Sequence, residues 1–375
     1  MDALKGAKET DMKKITTKKT MTSKRLERQD EFSSYLGIDL GDKHSCVCVL
    51  DRWGKIAEEL RGRTTVKEFE EFFRKLPRSR VAMEAGSQSR WVSELAGKYG
   101  HEVYVANPHK VQYISGGDDK NDPGDAYKLA ELSYVRPSML HPIRHRQRQE
   151  QVHLEAIRAR DLLVRSRADM INAVRGMSKA FAETLVQCSA ESFTTKAAGK
   201  LPEDLRRATA PLLRVIDQVS EEIAELDQWI EHVARQQYPA YQLLERVNGV
   251  GTLTALTYML TIGDAGRFQR SRDVGAYLGM RPRQKDSGSS SPQLGITKTG
   301  DAYLRKLLVN CAHYIIGKFG ADSDLRRFGL RLAARGGKNA KKRAAVAVAR
   351  KLSVLLHRLW VSGEAYEPLR NSQAA

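Results

Sequence analysis

The chain has 375 residues, of which 41% are hydrophobic, enough to fill the cores of two or three domains. Lys and Arg number 63 against 45 Asp and Glu, and the resulting net charge of +18 favours a polyanionic partner, with nucleic acid as the leading class. No run approaches the roughly eighteen apolar residues of a membrane span, and the N-terminus lacks the apolar core of a signal peptide, so we expect a cytoplasmic protein without a membrane partner.

Residues 1–34 form the first segment in chain order. Their stretch "KKITTKKTMTSKR" has no acidic residue and no apolar periodicity, which predicts a disordered basic arm. Such an arm is either a solvated tail or a nucleic-acid contact.

Short β-rich runs separated by turn signals begin at Tyr35. The runs "YLGIDL", "HSCVCVLD" and "GKIAEEL" predict a three-stranded meander. An amphipathic helix, the strand "RVAMEA", a helix through "RWVSELAGKYG" and the strand "HEVYVAN" follow. The order βββαβαβ predicts a mixed α/β domain over residues 35–140. The four cysteines are scattered, and we interpret them as reduced core thiols.

Two long segments, 145–187 and 202–238, carry apolar residues at helical spacing and almost no Gly or Pro. They predict a helical hairpin, and specifically a coiled coil, within a connector at residues 141–240. The first helix is rich in arginine with few acids beside it. We therefore interpret Arg158, Arg165 and Arg175 as phosphate contacts rather than as a merely solvated face.

Residues 241–375 predict a mostly helical domain. Its "VNGVG" turn lies between two helical patterns and is similar to a helix-hairpin-helix, so the amides around Gly249 and Gly251 are candidates to bind a phosphate; a plain tight turn is the alternative. A serine-rich loop follows, "RQKDSGSSSPQLGITKTGD", flanked by Arg283 and Lys298. The loop is either a flexible linker or the source of a nucleophilic hydroxyl.

Four carboxylates stand out in the α/β region. Asp39 lies in an otherwise apolar strand and Glu84 ends a second one, where an ionised carboxylate is costly unless it is compensated. Asp122 and Asp125 are three apart at a helix start and project from one face, although acids there are often only helix caps. Together the four offer hard oxygen ligands, which predicts a two-metal Mg²⁺ site for phosphoryl transfer.

These motifs resemble a known family. The Gly-Ile-Asp-Leu-Gly strand, the Met-Glu-Ala-Gly strand end and the Asp-x-x-Asp-Ala helix start resemble the RuvC-like domain, of RNase H fold, in the DEDD transposases. The stretches "VNGVGTLTALTYMLTIGDAGRF", "YLGMRPRQKDSG" and "GITKTGDAYLRKLL" resemble the C-terminal domain of the same family. The resemblance runs from about residue 35 to about residue 360, in the expected order.

The resemblance implies several properties of the chain. The four acids of the family correspond to Asp39, Glu84, Asp122 and Asp125, and its serine nucleophile corresponds to Ser287, with Ser289 as the alternative under a small shift of alignment. The implied partners are target and donor DNA, a non-coding bridge RNA, and further copies of the chain in a dimer or tetramer with composite active sites. The implied location is the bacterial cytoplasm, at the nucleoid when the protein acts on DNA.

The resemblance therefore implies an RNA-guided DNA recombinase of an insertion sequence. A covalent link between serine and DNA would conserve bond energy, so that strands could be rejoined without ATP. Arg283 and Lys298 would hold the phosphate during this reaction. Two alternatives remain open: a structure-selective nuclease of the junction-resolvase type that uses water, and a non-catalytic nucleic-acid-binding scaffold.

Overall fold

A computed structural model of the protein describes residues 32–108, 122–284 and 294–371. The chain divides into two compact units, and the division falls between His145 and Arg146. No helix in the described ranges is both long enough and apolar enough to cross a membrane.

The first unit is built on a five-stranded mixed sheet of order β3-β2-β1-β4-β5. The strands are β1 (Ser34–Asp39), β2 (His44–Asp51), β3 (Ile56–Arg63), β4 (Arg80–Glu84) and β5 (Glu102–Ala106). β1, β2 and β3 pair antiparallel as the predicted meander, whereas β4 and β5 continue from β1 in parallel. This mixed topology is consistent with the predicted RNase H-like fold.

Helices cover both faces of the sheet. On one face α1 (Val66–Lys75) and α2 (Ser89–Lys98) bury Phe69, Phe73 and Val92 against strand residues such as Leu36 and Ile38. On the other face α3 (Asp122–Val135) packs its buried alanines and leucines. Alternate side chains of a strand point to opposite faces, so a strand covered on both sides is buried at nearly every position, as β1 is.

The domain edges differ from the sequence prediction in two places. Phe32 is 3% exposed and Ser34 is paired in β1, so the last residues assigned to the basic arm belong to the first unit; residues 1–31 lie outside the described ranges. At the other end, the Ile143 amide donates to the Val105 carbonyl at 2.9 Å. Ile143 therefore belongs to the first unit, although the sequence prediction placed residues 141–145 in the connector.

The second unit begins with two long antiparallel helices, α4 (Arg148–Lys179) and α6 (Glu203–Gln237), joined through the short helix α5 (Phe193–Ala198). Arg160 donates to both oxygens of Asp227 at 2.8 and 3.0 Å, and Arg167 donates to the Ser220 hydroxyl at 3.0 Å. Moving seven residues forward along α4, from Arg160 to Arg167, moves the partner seven residues back along α6, from Asp227 to Ser220. This pattern identifies an antiparallel register. The predicted hairpin is confirmed, while its supercoiling stays a prediction.

The rest of the second unit is helical, as predicted. It contains α7 (Tyr241–Glu245), α8 (Thr252–Ile262), α9 (Arg272–Tyr277), α10 (Ala302–Ile316), α11 (Asp324–Ala334) and α12 (Ala340–Ser362). All eleven residues of α8 except its first two are buried, and α12 places its Ala, Val and Leu face in the same core. The tip of the serine loop, residues 285–293, lies outside the described ranges.

Candidate functional site

Asp39 and Glu84 end two neighbouring parallel strands. Ile38 pairs with Met83 across β1 and β4, so the two acids stand one position further along at the same sheet edge. Neighbouring strands lie about 4.8 Å apart. Gly37 pairs with Ala82, two positions before the acids, and side chains two positions apart share a face. Asp39 and Glu84 therefore lie on the face that α3 covers.

Gly37 determines how closely α3 approaches this face. A Cβ atom at Gly37 would overlap the Ala126 carbonyl oxygen and the Ala130 amide nitrogen, and would lie 2.9 Å from the Leu129 Cβ. The glycine thus allows the helix backbone to rest directly on β1. Any side chain here would push the helix outward.

The direction of α3 follows from contacts at its far end. The Tyr134 ring lies 4.9 Å from the Tyr35 ring at the start of β1, and Arg80, which starts β4, donates to the Ser133 carbonyl at 3.2 Å. Because the C-terminus of α3 meets the beginnings of the parallel strands, its N-terminus lies over their ends. That N-terminus carries Asp122 and Asp125.

The distances along the two elements match. Counted from the contact between Gly37 and Ala126, Asp39 lies two strand residues onward, about 7 Å. Asp122 lies four helical residues in the same direction, about 6 Å. The packing therefore brings the strand acids and the helix acids to one edge of the sheet.

The pKa of the Cys46 thiol depends on the charges at this edge. It pairs with Asp39 across β1 and β2 and is 6% exposed. Burial raises the pKa of the Cys46 thiol, and the negative charges of Asp122 and Asp39 raise it further, against an opposing effect of Arg61. A thiol can respond to both carboxylates only if both lie near it.

The four carboxylates lie toward one sheet edge, and oxygen donors of this kind are the ligands that a hard divalent cation prefers. Asp125 forms an ion pair with Lys128, with 3.1 Å between the carboxylate oxygen and Nζ, and both side chains are at most 22% exposed. Within residues 32–108, 122–284 and 294–371, no three His, Cys, Asp or Glu side chains come close enough together to hold a metal ion. The arrangement described is thus an edge of converging acids, with a lysine beside one of them.

The predicted nucleophiles Ser287 and Ser289 lie outside the described residues, but the two stems of their loop are described. Pro282 and Ile296 form an antiparallel bridge, and the Arg283 amide donates to the Gly295 carbonyl at 2.9 Å. Lys298, at φ +60°, donates its amide to the Gly279 carbonyl at 2.9 Å. Arg283 and Lys298 are therefore both held on ordered, exposed stems.

Arg305 fastens these stems from α10. One of its guanidinium nitrogens donates to the carbonyls of Leu278 at 3.2 Å, of Gly300 at 3.1 Å, and of Thr299. Three carbonyls from both sides of the serine loop thereby share one cationic donor. The sequence analysis missed both Arg305 and Lys128; only the spacing of three between Asp125 and Lys128 could have indicated the latter.

The other predicted phosphate contacts are engaged within their own unit to different degrees. Arg158 pairs with Glu155 at 2.7 Å and Arg165 pairs with Asp161 at 3.1 Å, while Arg175 lies over the Phe193 ring at 5.3 Å. Acidic residues of the hairpin therefore lie nearer to Arg158 and Arg165 than the sequence suggested. These three residues stay predictions as nucleic-acid contacts.

The two turn glycines differ in their surroundings. Gly249, at φ +89°, is packed so closely that a Cβ would lie 2.9 Å from the Tyr314 ring of α10, which accounts for a glycine at this position without a phosphate. Gly251 is the N-cap residue before α8, and a Cβ there would meet no atom within 4 Å. Of the two, Gly251 has the space that a phosphate contact needs.

Several known proteins similar to this chain are named transposases. A family model described as "Transposase IS116/IS110/IS902 family" matches residues 241–327, and a second model, named for DEDD and IS110 and described as "Transposase", matches residues 36–181. The transposase for insertion sequence element IS1111A of Coxiella burnetii is 28% identical over 88% of this chain and 90% of its own length.

Two further relatives extend the comparison. A probable family 20 transposase of Pseudomonas aeruginosa is 30% identical over 78% of this chain and 87% of its own length. A pilin gene-inverting protein of Moraxella lacunata is 32% identical over 36% of this chain and 41% of its own length.

Proposed function

The chain belongs to the IS116/IS110/IS902 family of transposases and is an enzyme of DNA transposition and recombination, and we propose that it cuts and rejoins DNA through a serine nucleophile assisted by Mg²⁺. The observation that carries this proposal is the shared edge of Asp39, Glu84, Asp122 and Asp125. Four carboxylates at one edge repel one another, and a divalent cation relieves that repulsion.

The proposed reaction is a phosphoryl transfer. The hydroxyl oxygen of Ser287 attacks a backbone phosphorus and its proton passes to a base. The bond between phosphorus and one nucleotide oxygen breaks, and that oxygen takes up a proton. The products are a phosphoserine ester and a free DNA hydroxyl. Attack by a second DNA hydroxyl on that ester reverses the step and joins new strands without loss of bond energy.

Each group of residues has a stated part. Asp39, Glu84, Asp122 and Asp125 would hold the cation, which would lower the barrier by neutralising charge on the phosphate oxygens. Lys128 keeps Asp125 oriented through their ion pair. Arg283 and Lys298 bind the phosphate from the loop stems, and Arg305 fixes those stems.

We also propose a homo-oligomer, with the hairpin as one contact surface. Large apolar side chains of α4 and α6 are 37 to 55% exposed: Val152, Leu162, Met177, Val215 and Trp229. α4 has seven basic and four acidic residues, a balance of +3, whereas α6 has four basic and eight acidic residues, a balance of −4. A two-fold pairing of α4 with the partner's α6 would cover apolar surface and match opposite charges.

A guide RNA is the least direct part of the proposal. It rests on the family resemblance, and the net charge of +18 is compatible with it. In such a complex, base pairing would select the DNA sequence while the protein contacts backbone and shape. Binding of the flanking non-coding transcript, compared with a scrambled RNA of equal length, tests this part separately.

The decisive experiment looks for the covalent intermediate. Protein, RNA and end-labelled DNA are incubated with Mg²⁺ or with EDTA, and a protein-DNA adduct that survives denaturation is sought. We expect the adduct with Mg²⁺ only, and we expect its loss in Ser287→Ala and in Asp39→Asn, with Ser289→Ala as the matched control.

Other outcomes would favour the two alternatives. Full strand cleavage by Ser287→Ala and Ser289→Ala without any adduct would indicate a nuclease that uses water. Unchanged recombination by Asp39→Asn and Glu84→Gln would indicate a non-catalytic scaffold.

A mixing experiment tests the composite site. Asp39→Asn and Ser287→Ala are each expected to be inactive alone. If the acids of one protomer serve the serine of another, a two-fold mixed dimer contains one site with both wild-type groups, and mixing restores activity. If each chain completes its own site, no mixed species is active.

A further inference from the structure

The C-terminal part of the second unit carries charge of one sign. Residues 325–363 contain eleven Lys and Arg and no Asp or Glu. Six of these cations fall within 13 residues around the turn from α11 to α12, and we call them the basic corner: Arg331, Arg335, Lys338, Lys341, Lys342 and Arg343. All six are exposed.

The corner cations have no acidic partner among the described residues, in contrast to other arginines of this unit. Arg327, four residues before Arg331, pairs with Asp322 at 2.6 Å, and Arg165 on the hairpin pairs with Asp161 at 3.1 Å. A paired cation must give up its partner to bind a phosphate. The corner cations bear no such cost.

The backbone of the corner is ordered. Gly336, Gly337 and Asn339 adopt φ values of +71°, +86° and +69°, and the Ala340 amide donates to the Gly337 carbonyl at 3.1 Å. The buried residues Ala344 and Val348 anchor the following helix in the core. The turn therefore holds its cations outward on a fixed support.

This placement does not serve folding. Lys341, Lys342 and Arg343 occupy the first turn of α12, where the helix macrodipole disfavours positive charge. They also repel one another and the three cations before them. A bound polyanion would remove both unfavourable effects.

We infer that the basic corner is a contact surface for the phosphate backbone of duplex nucleic acid. This inference rests on the proposed function only where it names nucleic acid as the bound polyanion. Residues 331–343 contain no aromatic side chain that could stack on a base, so the contact is to phosphates and is independent of sequence. None of its six cations belongs to the pair Arg283 and Lys298, to which we assign the phosphate at the serine loop.

The test compares two variants of equal charge change. The corner variant combines Lys341→Gln, Lys342→Gln and Arg343→Gln. The control combines Arg235→Gln, Arg270→Gln and Arg370→Gln, three exposed cations that each have an acidic partner within 3.7 Å. Binding of a 30-base-pair DNA duplex and of an RNA duplex of equal length is measured from 0.05 to 0.3 M salt.

Three lost phosphate contacts should reduce the slope of log K against log salt by about 2.7 on DNA, which weakens binding roughly 500-fold at 0.1 M salt. The loss of affinity should be equal for duplexes of different base sequence. The salt slope of the control variant should change little. A change on one duplex alone identifies DNA or RNA as the occupant. Equal slopes in the two variants, or an unchanged slope in the corner variant, would overturn the inference.

Two further measurements separate the effect of charge, and the inference itself, from the proposed function. The variant Lys341→Arg with Lys342→Arg keeps the charge and should bind as the wild type does; if it binds as weakly as the Gln variant, charge is not the cause. Adduct formation by the wild type tests the proposed function alone, because salt slopes are measured without Mg²⁺ and need no chemistry.

Discussion

Replacing Gly37 by alanine should displace the acids of α3 from those of β1. The added Cβ would lie 2.9 Å from the Leu129 Cβ, whereas carbon atoms pack best at about 3.5 to 4.0 Å. The shortfall is about 0.6 to 1.1 Å, and the Ala126 and Ala130 backbone atoms are overlapped still more. Since neither strand nor helix backbone can rotate away, α3 must move outward.

Two consequences have different magnitudes. Overpacking of this kind costs about 1 to 3 kcal/mol of unfolding free energy. A displacement of about 1 Å between catalytic groups can lower a rate roughly 10²-fold. We therefore expect Gly37→Ala to remain folded, with a lowered midpoint in urea, and to form the serine adduct about 100 times more slowly at saturating DNA and Mg²⁺.

Gly97→Ala is the matched control for this prediction. Gly97 lies within α2 of the same unit, and a Cβ there meets no atom within 4 Å. Alanine should stabilise this helix by up to about 1 kcal/mol and leave the rate unchanged. If Gly37→Ala matched Gly97→Ala in both stability and rate, the close packing of α3 on β1 would be refuted.

Three further predictions concern Arg305, His357 and Lys128. Arg305→Met should lower the unfolding free energy by about 1 to 3 kcal/mol, because three carbonyls lose their donor, and should slow adduct formation; the exposed Arg281→Met is its control, and equal urea midpoints would contradict the clamp. Burial holds the pKa of His357 below its ordinary value, so its contribution to stability is complete above an unfolded pKa of about 6.5 and is lost as pH falls through the folded pKa. Urea midpoints should therefore fall more steeply below pH 6.5 in the wild type than in His357→Gln, and parallel curves would refute this. Lys128→Met removes the cation beside Asp125, so Mg²⁺ should raise its melting temperature more than that of the wild type; equal increases would count against a cation at this edge.

Local patterns predicted the elements of the first unit well. Apolar runs bounded by turn residues located the five strands of the described sheet. Asp39 and Glu84 stood out in those runs because a charge in an apolar strand is costly, and their role stays a prediction. Helical spacing likewise predicted α6 within one residue of each end and the start of α4 within three, although α4 ends at Lys179, eight residues before the predicted end. These signals are local, so a single sequence carries them.

The differences arise where long-range contacts decide. Phe32 was assigned to the arm because basic residues precede it, yet its ring packs 6.2 Å from Tyr35 and accepts the Arg80 guanidinium at 4.6 Å. α11 was not predicted because its pattern is short, and Gly329 is required there by contacts with Val348 and Ile316 from other helices. Such partners are distant in sequence and leave no periodic trace.

The sequence alone determined which groups are available for chemistry: four acids at element ends, hydroxyls in a loop between cations, and an excess of positive charge. Only the tertiary structure decided that α3 runs antiparallel to β1 and packs closely on it at Gly37, so that Asp122 and Asp125 lie toward the same sheet edge as Asp39 and Glu84. The physical reason is that the direction of a helix across a sheet is fixed by side-chain contacts between residues about 90 positions apart. No local propensity encodes such contacts.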